Sequence, residues 1–401
     1  MTVMEEITFS ILNHGVAASK KLQALLQQFE QQYDIHVRLE IIQTWALGWS
    51  RLVENALYRS GPDISEAGNS WIGDLARMDA LHPFEQDEVI DITKDAHLFE
   101  NVWKNRIRDD SGKAMVYSIP WTGDTRATFY RRDLLAKAGV DETTAFTDIV
   151  QYEKTLFTLQ EKGISMPLAL TSQRSSLTIH NIASWVWGAG GDFLSPDGVG
   201  LAFDQPEALE GCKAYFRQEA YLSPEARNLS EDQSNQAFRS GMAAVTVGGY
   251  WMLGVDEMSP DVFKNLGVAP MPGPSFVGGQ DLVIWNHSHH EAAAVKLIRF
   301  LHTDESVREL FPLYGLPISE SAWENPPFNS GFYPIFKNAM KEGRGFKGHL
   351  WGLVEKRLTD EFSDIWAEIL NQPESSSDII VETHIKSLGN RLRVTLGTSP
   401  A

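Results

Sequence analysis

The sequence predicts an α/β protein built as two halves, on three observations. Its 401 residues exceed what one compact hydrophobic core organises, so two domains are expected. The chain opens with a strand, a helix and a second strand, the unit from which parallel sheets are assembled. Strands then go on alternating with helices, with no repeats and no low-complexity linker. Two halves joined by short crossings are expected to move as hinged rigid bodies, with a cleft between them as the natural binding site.

ITFSIL (7–12) is a short β-rich run, KKLQALLQQFEQQY (20–33) carries apolar residues at helical spacing, and IHVRLEII (35–42) alternates like a half-buried strand. GPDISEAG (61–68) predicts a strand after a turn, and SWIGDLARMDAL (70–81) the helix that follows it. RRDLLAKAGV (131–140) begins a helix of the second half. FTDIVQYEKTLFTLQEKG (146–163) is a helix ending at Gly163, before a strand at MPLAL (166–170). SSLTIHNIASWVWGAGG (175–191) is an aromatic-rich helix stopped by glycines. Helices at 206–220 and 231–241 precede a buried strand, MAAVTVGG (242–249). Strands broken by Pro and Gly return over 264–285, HHEAAAVKLIRFLHT (289–303) is helical, and the tail from about 318 is mostly helical.

Hydrophobic residues at 43% and charged residues at 22% mark a globular chain. The formal net charge of −18 opposes contact with a phosphate backbone or an anionic membrane surface, so nucleic acid is excluded as a partner. The single cysteine, Cys212, cannot form an internal disulfide, and no Cys/His spacing suggests zinc. No apolar stretch approaches the about 18 residues of a membrane span. The opening MTVMEEITFSIL has neither the basic nor the apolar region of a signal peptide, which fits a trimmed segment or a cytoplasmic protein.

Several motifs fail in context. GRGFKG (343–348) matches G-x-G-x-x-G, but it follows a helical run where a dinucleotide site needs a strand. His287, His289 and His290 cluster between a strand and an amphipathic helix, where they read as a solvated cap. There is no G-x-S-x-G elbow and no P-loop. No cofactor or metal is expected.

Five pieces in one order carry a resemblance: ITFSIL…FEQQYDIHVRLEII, GPDI…WIGDLARMDALHPF, IPWTGDTRATFYRRDLLAKAGV, FRSGMAAVTVGGYW, and GVAPMPGP…GGQDLVIW followed by EAAAVKLIRFLHTDES. Over nearly its whole length the chain resembles the family 1 extracellular solute-binding proteins of ABC importers, the group that includes maltose-binding protein. The resemblance implies a two-lobed periplasmic-binding-protein type II fold with three hinge crossings, near 122–126, 259–266 and 311–317, and a helical C-terminal tail. The lobes would be 1–121 with 266–312 and 126–260 with 317–401. It also implies a non-enzymatic, monomeric subunit that closes around a di- or oligosaccharide and delivers it to membrane permeases. Its place would be periplasmic or lipid-anchored at the cell surface, the signal segment being absent from this sequence.

A sugar offers hydroxyls that donate and accept, and flat C–H patches. Carboxylates and guanidinium groups bind the first by charge-assisted hydrogen bonds and aromatic faces cover the second. Twelve tryptophans are high for this length. By its motif Asp124 matches the family's sugar-binding acid; a structural pair with Arg126 pinning the hinge is the alternative, and Trp121 serves either the site or hinge packing. Trp251, in GGYW, matches a ring that stacks on sugar, with Gly249 before it letting backbone approach the ligand. His180 lies where relatives place a polar or aromatic contact, against the alternative of a core histidine. Trp185 and Trp187 cannot share one helix face, so at most one looks at the cleft.

In the first lobe His14, Trp45, Asn69, Ser70 and Trp71 follow strand ends, where open α/β sheets bind ligands. Gln280, Arg344 and Trp351 complete the candidate set. Ala67 and Ser70 depart from maltose-binding protein, which puts maltodextrin preference in doubt. Two rivals stand beside this reading: a cytoplasmic sugar sensor reusing the fold, and a glycoside hydrolase, for which Asp124 alone supplies one of the two carboxylates required.

Overall fold

The computed structural model describes residues 4–94, 98–99, 102, 107–108, 114–175, 177–254, 258–311, 313–346, 351–372 and 375–396. The chain divides into two compact units, Met1–Asp124 with Val277–Lys341, and Thr125–Phe276 with Glu342–Ala401. In chain order the first unit begins with β1 (Glu5–Leu12), α1 (Val16–Tyr33), β2 (Ile35–Ile42), α2 (Trp45–Tyr58) and β3 (Ile64–Gly68). It continues with α3 (Ile72–Arg77), α4 (Gln86–Thr93), β4 (Ile107–Arg108), β5 (Ala114–Met115) and β6 (Ile119–Thr125). The second unit follows with β7 (Ala127–Arg131), α5 (Arg132–Ala138), α6 (Ile149–Glu161), β8 (Leu168–Ala169) and α7 (Leu177–Gly188). Then come α8 (Pro206–Phe216), α9 (Glu231–Arg239), β9 (Val245–Gly248), α10 (Pro260–Lys264) and β10 (Leu266–Ala269). The chain returns to the first unit with β11 (Val277–Ile284), α11 (Glu291–Leu301), α12 (Asp304–Leu310) and α13 (Tyr333–Glu342), and ends in the second with α14 (Trp351–Asn371) and α15 (Ser377–Leu396).

The first unit's sheet has the order β2-β1-β3-β11-β6. β1 runs parallel to both β2 and β3, while β11 is antiparallel to β3. Ile7, Phe9 and Ile11 are fully buried on one face of β1, and Thr8 and Ser10 are buried on the other. Burial on both faces is what a parallel sheet covered by helices requires. The polar pair is satisfied: the Ser10 and Ser65 hydroxyls are 2.7 Å apart, and the Trp285 indole N–H donates to Ser65 at 2.8 Å. Helix α1 packs through Ala18, Leu22, Leu25, Leu26 and Phe29, a stripe at 3.6-residue spacing, and ends where Asp34 turns left-handed.

The second unit's sheet has the order β10-β7-β9-β8, with β7 fully buried between antiparallel partners. Helix α7 is buried nearly all round, consistent with its aromatic-rich sequence. Three ion pairs tie α15 to the α8 region: Arg393 with Asp204, Arg217 with Asp378, and Lys213 with Glu382.

Several expectations change. The helix expected over 70–81 is a 3-10 turn, Asn69–Trp71, followed by α3, because Asp79 takes a positive φ of 53° soon after the helix ends. Trp45 begins a helix instead of lying in a loop: Thr44 accepts a hydrogen bond from the Leu47 N–H and caps α2. The strand at 166–170 keeps only Leu168 and Ala169, and the helix at 206–220 gives way to a 3-10 turn after Phe216.

The unit boundaries fall at 124/125, 276/277 and 341/342, beside the crossings expected near 122–126, 259–266 and 311–317. β10 pairs with β7 and therefore belongs to the second unit. Leu316 bridges Gly123, and Trp323 packs on Phe99, which holds residues 313–341 in the first.

Candidate functional site

Because β1, β2 and β3 are parallel, the residues that follow their C-terminal ends line one edge of the first unit's sheet. His14 follows β1, Trp45 follows β2, and Asn69, Ser70 and Trp71 follow β3. The side chain of Trp45 lies outside the described residues. Gln280 on β11 faces Gly68, and so joins the same edge beside Asn69. Thr122 on β6 donates to the Gln280 side-chain carbonyl, and half-buried Asp124 is two residues further along the same strand. Six expected residues of this unit therefore gather at one edge: His14, Asn69, Ser70, Trp71, Asp124 and Gln280.

That edge is organised by a group not anticipated from sequence. Glu66, fully buried in the middle of β3, accepts from the Leu12 N–H and lies 2.7 Å from His14 Nε2. A buried carboxylate needs partners of this kind, and the pair fixes the His14 ring. The other support is Tyr314, whose ring is 4.2 Å from that of His14 and 4.9 Å from that of Trp121. Trp121 is 2% exposed and also touches Phe9, so it is core, not binding surface. Trp71 is half-buried and packs on Trp49 and the cluster of Leu52, Ala67, Leu75 and Trp285, which uses part of its ring for the core.

In the second unit Arg126, 1% exposed, is the residue between β6 and β7. Its guanidinium carbon lies 4.9 Å from the Trp251 ring centre and 5.6 Å from that of Phe276, distances at which a cation is attracted to the ring face. Its Nη2 is 3.2 Å from His180 Nδ1. Guanidinium only donates, so Nδ1 accepts, and the neutral ring carries its proton on Nε2. That nitrogen faces Glu355 at 3.7 Å. His180 also stacks on Phe276, with ring centres 4.1 Å apart and planes within 1°.

Trp251 is half-buried, and its carbonyl accepts from Arg239 at 2.7 Å. Gly249 makes room for the indole of its own chain: a Cβ there would stand 2.1 Å from the Trp251 ring. Trp351 differs from expectation. It is 5% exposed and stacked on Phe346 at 3.9 Å, so that face cannot lie against a sugar. Arg344 is exposed, and its main chain bridges Phe276, with the Arg344 N–H donating to the Ser275 carbonyl at 2.9 Å. Trp185 and Trp187 are both buried in the core.

Phe276, Phe346 and Glu355 were missed from sequence. Only Glu355 had a signal, standing one helical turn after Trp351 on the same face of α14. The structure thus brings Arg126, His180, Trp251 and Glu355 into one aromatic-walled cluster, with Gly249 beneath Trp251 and Arg344 and Trp351 behind it. Among the described residues no group of three or more His, Cys, Asp or Glu side chains could hold a metal ion.

The profile of the family described as bacterial extracellular solute-binding protein matches residues 15–308. The chain belongs to the bacterial extracellular solute-binding proteins. It is a binding protein and not an enzyme. Among relatives of this solute-binding protein, a putative binding protein of Brucella abortus is 20% identical over 306 residues, covering 74% of this chain and 72% of the relative. The putative ABC transporter periplasmic-binding protein YcjN of Escherichia coli is 23% identical over 287 residues, 66% of this chain and 62% of that one.

Solved structures share the fold, two of them as follows. The GacH receptor of Streptomyces glaucescens superposes with a TM-score of 0.80 at 20% identity, covering 99% of this chain and 100% of that one. The sugar-binding protein MalE of Xanthomonas citri gives 0.78 at 23% identity, covering 98% and 100%. The solute-binding protein therefore has the α/β fold, with two units, that its sequence predicts. Among its described residues no helix is long and apolar enough to cross a membrane.

Proposed function

We propose that this solute-binding protein takes a carbohydrate, a di- or oligosaccharide, as the monomeric binding subunit of an ABC importer. It acts outside the cytoplasm, periplasmic or anchored at the cell surface. The observation that carries the reading is the half-buried Trp251 beside the Arg126 guanidinium and the His180–Glu355 pair. An aromatic plane next to paired donors and acceptors matches the two kinds of surface a sugar presents. Asp124, His14, Asn69, Ser70 and Gln280 supply further polar contacts from the first unit. Closing around the sugar is what a membrane permease would recognise. The GacH receptor, solved with acarbose, and a Thermotoga lettingae solute-binding protein, solved with tagatose, support the carbohydrate class.

A thermal-shift screen against mono- and oligosaccharides and polyols identifies the ligand, since a sugar present at 100 times its Kd stabilises by about 2.7 kcal/mol. Calorimetry with that sugar then tests the site. Trp251→Ala and Asp124→Ala are each expected to weaken binding by about 1–3 kcal/mol, through a lost stacking surface and lost charge-assisted bonds. Unchanged affinity in both variants would refute the assignment.

A further inference from the structure

His384, on α15, is held between two carboxylates of α14. Its Nδ1 lies 2.7 Å from Glu361 Oε1 and its Nε2 2.9 Å from Glu368 Oε2. Ionised carboxylates only accept hydrogen bonds, so both ring nitrogens donate here, and only the imidazolium carries two protons to give. We propose that His384 is a pH-operated clasp between the two C-terminal helices: protonated it joins α15 to α14 at two points, and deprotonation turns one of those bonds into a lone pair facing a carboxylate.

The surrounding charges support this. From α15 itself Arg391 reaches the second oxygen of Glu361 and orients that carboxylate. From α14, Asp364 shares the stripe of Glu361 and Glu368 by spacing and is exposed. On the α8 side the cations Lys213 and Arg217 are engaged with Glu382 and Asp378, not with the histidine. Burial alone would depress the His384 pKa, but the bonds to Glu368 and Glu361, with their charges, hold it above its ordinary 6.5. The sign follows. A group whose folded pKa is raised stabilises fully below its unfolded value, and that stability is lost as pH climbs through the folded value. The clasp is therefore closed at mildly acid pH and opens on the alkaline side.

Its position gives the device a use. Glu361 and Glu368 follow, on the same helix, Trp351 and Glu355, which pack on Phe346 and face His180. Whatever loosens α14 loosens one wall of the second unit's cluster.

The test compares the full chain with His384→Gln and Glu368→Gln. At about pH 6 wild type should melt about 2–4 °C above His384→Gln, and the gap should close by about pH 9. A gap of the same size at both pH values would overturn the proposal. Histidine NMR gives a second reading that does not depend on melting. The resonance lost in His384→Gln should titrate above 6.5 in wild type, and its midpoint should fall in Glu368→Gln. A midpoint at or below 6.5, or one unmoved by Glu368→Gln, would equally overturn it.

Discussion

Gly249 shows how far a single residue's role depends on what lies next to it. Its backbone, at φ −104° and ψ −167°, is one that any residue adopts, so the demand for glycine is entirely steric. Gly249→Ala is expected to push the Trp251 indole out of its seat and weaken ligand binding, at small cost to folding. Calorimetry beside a melting curve checks this: an unchanged affinity would mean the indole does not contact the ligand from this position. Cys212 offers a second test at this scale. Burial pushes its thiol up to about 12, so almost no thiolate exists at neutral or mildly alkaline pH. An alkylating reagent at about pH 8 is expected to leave the folded protein unmodified and to label it once denatured, read by mass spectrometry.

Among the elements, β11 runs close against β6. Gly279 of β11 sits at φ 140°, and a Cβ there would stand 1.9 Å from the Thr122 carbonyl oxygen. Gly279→Ala combines a backbone strain of roughly 1–3 kcal/mol with a clash against main chain that cannot swing away. It should therefore destabilise the first unit more than Gly249→Ala destabilises the second. Chemical denaturation of the two variants decides it; equal midpoints would show that β11 can shift to relieve the contact.

Elements were well legible where side-chain periodicity was strong. β1, α1 and β2 were anticipated within a few residues, and β2 at its bounds. Short elements were legible poorly. Leu168 and Ala169 are a strand only because β9 pairs with them, and α3 ends early before a left-handed Asp79 that no spacing announces.

At the scale of the molecule the charge is the strongest constraint. A net charge of −18 predicts tight retention on an anion exchanger at neutral pH and no measurable binding to duplex DNA at physiological salt. A DNA titration followed by fluorescence anisotropy checks it, and salt-sensitive binding would expose a basic surface that the summed charge conceals.

By itself the sequence determined the family, the α/β class, the alternation of strands with helices and most of the polar candidates. Those properties follow from local spacing and from motif order, which chain neighbours carry. Only the tertiary structure decided which candidates touch and what each glycine accommodates. It seats His14 on a buried Glu66, places Arg126 between Trp251 and Phe276, and turns Trp351 inward onto Phe346. The same holds for the unit boundaries, since β10 belongs with β7 through pairing across more than a hundred residues of chain. Burial and long-range pairing are properties of space, and no window of sequence contains them.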